Sequence, residues 1–198
     1  MIGKCAEMIA DWLVNSEVIE KTDKELYSYA VQSFFMSVLP LMLAIVFGRC
    51  MGCVLRSAMI VIPFIFIRKF SGGYHAKHAW VCFICSCLLL FLCIVVSFYI
   101  RSGWLLAILT IGAVVSLICF SPIEHVNREL SPKEHKLYKK IAVILVEVFL
   151  IIDVLFFVCR LYTYSVCISI GILLTAGLQL PCILGKIYKN SVKKTKRD

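Results

Sequence analysis

Long apolar runs are the dominant feature of this sequence, because they decide the solvent in which the chain can fold. Five of them have the roughly 17–25 residues that cross a lipid bilayer as a helix, at about residues 25–47, 79–100, 104–120, 141–159 and 161–184. Hydrophobic residues make up 61% of the 198-residue chain and charged residues 17%, against about 45–50% and 25% in soluble domains. A soluble globule is therefore excluded, and we expect a single all-α integral membrane domain over residues 1–198.

A sixth run, at residues 54–67, is short and contains Arg56, so its assignment depends on the distribution of charge. If it spans the bilayer, both termini, segment 68–78 and segment 121–140 lie on one side, and that side holds 17 of the 21 Lys and Arg residues. Basic residues collect on the cytoplasmic side of membrane proteins. The count predicts a multi-pass cell-membrane protein with six transmembrane helices, both termini and those two segments being cytoplasmic.

The segment 1–24 precedes these runs and has the pattern of an amphipathic helix. Its apolar and charged residues recur on opposite helical faces, namely Ile2, Cys5, Ala6, Ile9, Trp12 and Leu13 against Lys4, Glu7 and Asp11. The segment lacks the basic stretch, apolar core and cleavage site of a signal peptide, so we expect it to dock on a membrane surface or a neighbouring helix. Thr22 and Glu25 then match a capping box, which predicts the start of the next helix.

The net charge and the cysteines agree with a membrane location. The charge of +9 follows from positive cytoplasmic loops and does not indicate binding to nucleic acid. Most of the 11 cysteines lie in apolar runs, where cysteine behaves as a small hydrophobe rather than as part of a disulfide framework. The basic tail at 186–198 is interpreted as a cytoplasmic anchor, with contact to anionic lipid or an acidic peptide as the alternative.

One polar segment departs from this pattern by gathering ionisable groups at a membrane boundary, where such groups mark functional sites. Its chemically distinctive residues are Gly72, Gly73, His75, His78 and, at the start of the following run, Cys82. The glycines permit positive φ and a sharp chain reversal. A cysteine near a helix start, beside histidine and basic side chains, ionises readily and is a good nucleophile. The segment predicts a cysteine–histidine catalytic pair.

Spacing bears on which histidine pairs with the thiol. In one continuous helix, His75 and Cys82 would share a face but lie about 10 Å apart along the axis. His75 could reach Cys82 only if the helix begins after it and the glycine-hinged loop folds back. His78 lies four residues before Cys82, which is contact spacing on a helix, so spacing alone favours His78.

Two other interpretations of this segment compete with catalysis. Four residues on one helical stripe could suggest a zinc site, namely His75, His78, Cys82 and Cys85. A single straight helix cannot surround an ion tetrahedrally, so we expect no metal and no other cofactor. Alternatively the segment only sets topology, with the histidines at headgroup level and anchors at Arg68, Lys69 and Lys77. That explains the charges but not the clustering of glycine, histidine and cysteine.

The same residues resemble the motif of a known family. The matching positions are Arg68, Ser71-Gly72-Gly73, His75 and Cys82, and the loop Ser121–Arg128 resembles the family's polar loop. The family is accessory gene regulator B (AgrB), membrane cysteine endopeptidases that process quorum-sensing propeptides. By position, Cys82 matches the nucleophile, and His75 rather than His78 matches the catalytic histidine. Arg68 and Gly73 match residues that support activity, Gly72 is counted with them, and no role is implied for Cys85 and Cys87, which we expect to serve helix packing.

The resemblance also implies the partners and the reaction. The partners are an AgrD-type propeptide with an amphipathic start, a central segment and an acidic tail, together with the lipid bilayer and a second copy of the chain in a homodimer. His75 would take the proton of Cys82, whose attack on the carbonyl before the tail would release the tail and leave a thioester. A Cys or Ser of the substrate would then close a thiolactone or lactone. The site must exclude water, because hydrolysis would discard the acyl group.

The sequence leaves a third catalytic residue open. Asp153 or Glu147 could orient His75, although intramembrane carboxylates often pair within a bundle instead. Backbone amides around residues 80–82, or Arg68, could form an oxyanion hole. The alternative class of function is a non-catalytic peptide-binding scaffold or a small transporter, but the chain shows no related halves with broken helices. A neighbouring reading frame for a short peptide with an acidic end would favour the peptidase.

Overall fold

The computed structural model describes residues 2–16, 18–72, 79–100, 103–123 and 131–195. These ranges contain a short 3-10 turn at Lys21–Asp23 and seven α-helices. The helices are α1 Ile2–Asn15, α2 Lys24–Cys50, α3 Val54–Ser71, α4 Ala79–Tyr99, α5 Trp104–Phe120, α6 Pro132–Val158 and α7 Tyr162–Thr195. No β-strand occurs within the described ranges, so the predicted all-α class is confirmed.

The predicted apolar runs coincide with helices α2 to α7. The short run at 54–67 lies inside α3, as the six-helix prediction requires. Helix α6 begins at Pro132 rather than at residue 141, because Ser131 and Glu134 form a capping box. The Ser131 hydroxyl accepts from the Glu134 amide at 3.3 Å, and the Glu134 carboxylate accepts from the Ser131 amide at 2.9 Å. Both bonds satisfy amides that a helix start leaves unpaired.

The capping box predicted at Thr22 and Glu25 is wrong, although α2 does begin there. Thr22 lies in the 3-10 turn, and its hydroxyl donates to the carboxylate of Glu20 at 3.3 Å. Asp23 takes the N-cap position with helical backbone angles and makes no capping bond. A side-chain cap normally requires extended backbone at the capping residue. The 3-10 turn gives Asp23 helical backbone angles instead, so no cap forms.

Helix α1 docks on α2 through small residues. Ala6 and Ala10 are fully buried, whereas Trp12 is 64% exposed. Docking on a neighbouring helix is therefore confirmed, but the contact is centred on the alanines and not on Trp12. Asp11 also pairs with Lys24 at the start of α2, and the hydrogen bond that the Lys24 ammonium donates to the Asp11 carboxylate raises the pKa of Lys24 above its usual value.

Helices α3 and α7 form the centre of the bundle. Helices α5 and α6 cover one side of this pair, and α2 and α4 cover the other. Gly171 of α7 permits the close approach, because a Cβ atom there would lie 2.5 Å from the carbonyl oxygen of Ile60 in α3. This central pair places the end of α3 against the middle of α7.

Two helices of the described chain are long and apolar enough to cross a membrane, namely Pro132–Val158 and the segment Tyr162–Leu184 of α7. Three shorter apolar stretches accompany them, at Val38–Cys50, Cys87–Tyr99 and Trp104–Phe120. Only 17% of the apolar stretch of α6 is buried within the chain. A soluble protein would bury such a helix, so the exposed apolar surface supports membrane association.

Candidate functional site

Gly72 ends α3 in a conformation that favours glycine for two separate reasons. Its φ is +71°, in the left-handed region, and its amide donates to the carbonyl oxygen of Arg68 at 3.1 Å. A Cβ atom at this position would also collide with the carbonyl oxygen of Ile123. The predicted positive φ is confirmed at Gly72, while Gly73 and the predicted chain reversal lie outside the described residues.

The last described residues of the two polar segments, Gly72 and Ile123, lie side by side. The amide of Ile123, just after α5, donates to the carbonyl oxygen of Ser71 at 2.9 Å. Gly72 and Ile123 form an isolated parallel bridge. We call the meeting of Ser71, Gly72, Ser121 and Ile123 the loop junction, and the end of the bundle that carries it the loop end. Segments 73–78 and 124–130 both start from this junction.

The side chain of Gln179 in α7 forms hydrogen bonds with two residues of the loop junction. Its Nε2 donates to the carbonyl oxygen of Ser71 at 3.0 Å and to the hydroxyl of Ser121 at 3.1 Å. Ser71 and Gln179 are fully buried, and Ser121 is 4% exposed. The orientation of the amide follows from chemistry, because the carbonyl of Ser71 can only accept and must therefore face the NH₂ group. Helices α3, α5 and α7 are thus joined by polar bonds at one buried point.

Gln179 was not identified from the sequence, although a signal was present. It is the sole Asn or Gln in the apolar run 161–184. A polar group within a predicted span is a functional candidate by default, so the amide could have been flagged. Its partners could not, because they lie 58 and 108 residues away along the chain.

Arg68 lies in the last turn of α3, directly before the loop junction. The carbon of its guanidinium is 5.4 Å from the ring centroid of Phe64, one turn earlier on the same helix. This is a cation–π distance, and it places the charge alongside α3. Arg68 and Gly72 thus both lie at the C-terminal end of α3, where segment 68–78 begins.

The predicted catalytic pair is described only in part. His75 and His78 lie outside the described residues. The backbone of Cys82 is helical and lies in the first turn of α4, as the sequence predicted. Of the two thiols expected to serve helix packing, Cys85 is exposed and Cys87 half-buried, so Cys85 does not serve packing within the chain.

Asp153, one of the two candidates for orienting His75, is occupied by a bond between helices. Its carboxylate accepts from the hydroxyls of Ser165 at 2.6 Å and Ser169 at 2.8 Å, joining α6 to α7. Tyr138, nearer the start of α6, lies at the loop end, with its ring centroid 5.7 Å from that of Phe70. Asp153 is about 22 Å further along α6 at 1.5 Å per residue. The interhelical interpretation is confirmed for Asp153, whereas Glu147 is exposed on α6.

The loop end carries an exposed basic surface. Its members on the described chain are the side chains of Lys69, Lys133, Lys136, Lys139 and Lys140. All but the first lie in the opening turns of α6, around Tyr138. Such a surface attracts acidic segments. In the described ranges no three His, Cys, Asp or Glu side chains converge as a metal site would require.

Comparison with known proteins gives two matches. The family model described as accessory gene regulator B matches residues 6–181, which include both polar segments and Gln179. An AgrB-like protein of Clostridium perfringens (strain 13 / Type A) is 22% identical over 167 residues, covering 78% of this chain and 77% of that protein. No solved structure matches the chain.

Proposed function

The chain belongs to the accessory gene regulator B family, and we propose that it is a membrane-embedded cysteine endopeptidase with Cys82 as nucleophile and His75 as base. Family membership supports a role in quorum sensing with an AgrD propeptide as partner. The endopeptidase would remove the acidic C-terminal tail of that propeptide and promote its cyclisation.

The loop junction is the observation that carries the proposal. Two polar segments that resemble the family's functional loops are anchored to each other and to α7 by buried hydrogen bonds. Arg68 and Gly72 lie at the root of one of them, and Cys82 opens the helix that follows it. A catalytic pair needs a rigid frame, because misplacement of about 1 Å can cost a hundredfold in rate. The junction supplies such a frame on the chain's own elements.

The reaction balances on these residues alone. His75 takes the proton of the Cys82 thiol, and the thiolate attacks the carbonyl carbon before the acidic tail. The C–N bond breaks, the amine of the tail leaves with the proton returned by His75, and a thioester to Cys82 remains. A thiol or hydroxyl of the bound peptide then attacks the thioester, closes the ring and restores the thiol of Cys82.

The electrostatics of the loop end fit the leaving tail. The exposed lysines of α6 lie at the end of the bundle from which both polar segments leave. They attract an acidic tail to the region of Cys82 and increase the rate of encounter. A peptide with a neutral tail would lose this contribution.

We further propose that α2 to α7 are six membrane crossings, with the loop end in the cytoplasm. Supporting this topology, 17 of the 21 Lys and Arg residues lie in segments at that end. At the opposite end Arg56 is held against the ring of Phe98 at 4.6 Å, which lets a short α3 accommodate its charge near the bilayer boundary. A homodimer remains a prediction of the family resemblance, and crosslinking in the membrane would test it.

Trapping of the covalent intermediate tests the function. Wild-type protein in membranes receives the propeptide and is quenched, and mass spectrometry then identifies the modified cysteine. We expect an adduct on Cys82 that contains the substrate without its acidic tail and that hydroxylamine cleaves, because thioesters yield to this nucleophile and ordinary amides do not.

Two variants provide the controls. Cys82→Ser should bind propeptide but lose nearly all processing, because a hydroxyl stays protonated at neutral pH without a stronger base. Cys85→Ser, a few residues along the same helix, should process normally. An adduct on Cys85, or full processing by Cys82→Ala, would refute the mechanism. Propeptide released intact from a tight complex would indicate a binding scaffold instead.

A further inference from the structure

We propose that Gln179 is a positioning residue that fixes the segment carrying His75 relative to Cys82, an inference that rests on the proposed peptidase function. Neither the motif of the family resemblance nor the sequence pattern assigns a role to this glutamine. Its two N–H groups are shared between the two polar segments, one to the carbonyl of Ser71 and one to the hydroxyl of Ser121. Removing the amide would release both segments from α7 at once.

Burial makes these bonds effective. Gln179 and Ser71 are fully buried and Ser121 nearly so, so water does not compete for the donors, and the low local dielectric strengthens each bond. The Oε1 of Gln179 is buried without a hydrogen-bond partner among the described residues. An apolar side chain of equal length would avoid that unfavourable burial. Packing alone therefore does not account for a glutamine at this position.

The chain itself transmits the constraint to His75. His75 lies four positions after Ser71 in the sequence, and an extended chain covers about 3.3–3.6 Å per residue. Anchoring Ser71 therefore confines the Cα atom of His75 to about 14 Å from that of Ser71. The same carbonyl of Ser71 also accepts from Ile123, so Gln179 and Ile123 together fix the point from which the segment leaves.

Two substitutions in α7 separate positioning from packing. Gln179→Met keeps the length and volume of the side chain but removes both donors and the unpaired oxygen. Thr175→Val is the matched control, one turn earlier on α7. Thr175 is equally buried, and its hydroxyl donates only within its own helix, to Gly171 at 2.9 Å. The control therefore removes a buried hydrogen bond without touching the loop junction.

The readout is the pH profile of Cys82 alkylation in the full chain, followed by mass spectrometry of the peptide that contains Cys82. If Gln179 positions the histidine, Cys82 of Gln179→Met should be alkylated about tenfold more slowly at neutral pH. A thiol whose pKa is higher by about one unit has about a tenth as much reactive thiolate. At strongly alkaline pH, where any thiol is ionised, its rate should equal that of the wild type. The kcat for propeptide processing should fall by a similar factor with little change in KM. Thr175→Val should match the wild type in all three measurements.

The outcomes separate this inference from the function on which it rests. One result would overturn the role of Gln179 and leave the peptidase intact. In that result Gln179→Met alkylates and processes at the wild-type rates, whereas His75→Ala shows slow alkylation of Cys82 and no processing. A wild-type pH profile of Cys82 alkylation in His75→Ala, together with propeptide processing by Cys82→Ala, would overturn the proposed peptidase function. If Gln179→Met fails to accumulate, Ser121→Ala decides the question, because it removes one acceptor and leaves Gln179 in place. A smaller slowing at neutral pH would support the inference, and no slowing would overturn it.

Discussion

The amide of Ile123 donates to the carbonyl oxygen of Ser71 at 2.9 Å, so the segment after α5 pairs directly with the last residue of α3. The pairing brings the carbonyl of Ile123 against Gly72, where only a hydrogen occupies the place of a side chain. The spacing between the two polar segments is thus set by backbone contacts of Ile123 with two consecutive residues, Ser71 and Gly72. A single added methyl group at residue 72 tests this arrangement.

Gly72→Ala should destabilise the protein and reduce propeptide processing. The combination of φ +71° and ψ −164° is almost confined to glycine and costs another residue about 1–3 kcal/mol, and the new methyl group collides with the carbonyl of Ile123. The control is Gly177→Ala in α7, where a Cβ meets nothing within 4 Å and the substitution should be neutral or stabilising by up to about 1 kcal/mol. Thermal unfolding in detergent and a processing assay give both values. Equal behaviour of the two variants would contradict the described junction.

His75→Ala should abolish propeptide cleavage, whereas His78→Ala should retain much of it. The physical reason is that a general base must reach the thiol of Cys82, and the family resemblance assigns that task to His75. Cleavage is measured by the release of the acidic tail at matched membrane levels of both variants. The reverse result would show that the pair at i and i+4 spacing is the working one.

Cysteine labelling should place the two ends of the bundle on opposite sides of the membrane. A variant with Lys69→Cys as its single cysteine should react with an impermeant maleimide only after the cells are opened, because Lys69 lies at the loop end. A variant that keeps only the native Cys159, exposed at the turn between α6 and α7, should react in intact cells. Labelling of residue 69 from outside would exclude the six-span topology.

Asp153→Ala should lower stability without impairing the chemistry. The variant loses two hydrogen bonds between α6 and α7, and such bonds in membranes are worth about 0.6 kcal/mol each, or about 1 kcal/mol together. Processing per folded molecule should match the wild type, because Asp153 lies far from the loop end. Unfolding temperature and activity at a permissive temperature are the two measurements. A selective loss of kcat would instead revive Asp153 as a catalytic residue.

Lys136→Glu combined with Lys140→Glu should lower kcat/KM for a propeptide with an acidic tail by about tenfold at low ionic strength. The reversal turns attraction into repulsion on an exposed surface, so the effect should weaken as salt is added. Arg49→Glu combined with Arg160→Glu makes the same change in net charge at the opposite end and should have little effect. Neutralising the acidic tail of the peptide should abolish the difference between the two double variants.

The helices were predictable because each rests on a local property, a long apolar run bounded by polar residues. The exact helix ends were less predictable. The capping box at Thr22 does not form because Thr22 lies in a 3-10 turn, whereas Ser131 and Glu134 form a capping box that starts α6 earlier than the apolar run. The residues of segment 68–78 were visible because their types conflict with a membrane. The contacts of Gln179 were not, since side chains distant in sequence leave no periodic signal when the fold brings them together.

The placement of Ile123 and Ser131 has a consequence for substitutions in the stretch between them. One residue is paired with the end of α3 and the other caps α6, so the stretch 124–130 is tied to a fixed point on each side. Replacement of that stretch by another of equal length leaves both attachment points unchanged. The two attachment points therefore rest on Ile123, Ser131 and Glu134 and not on the side chains between them.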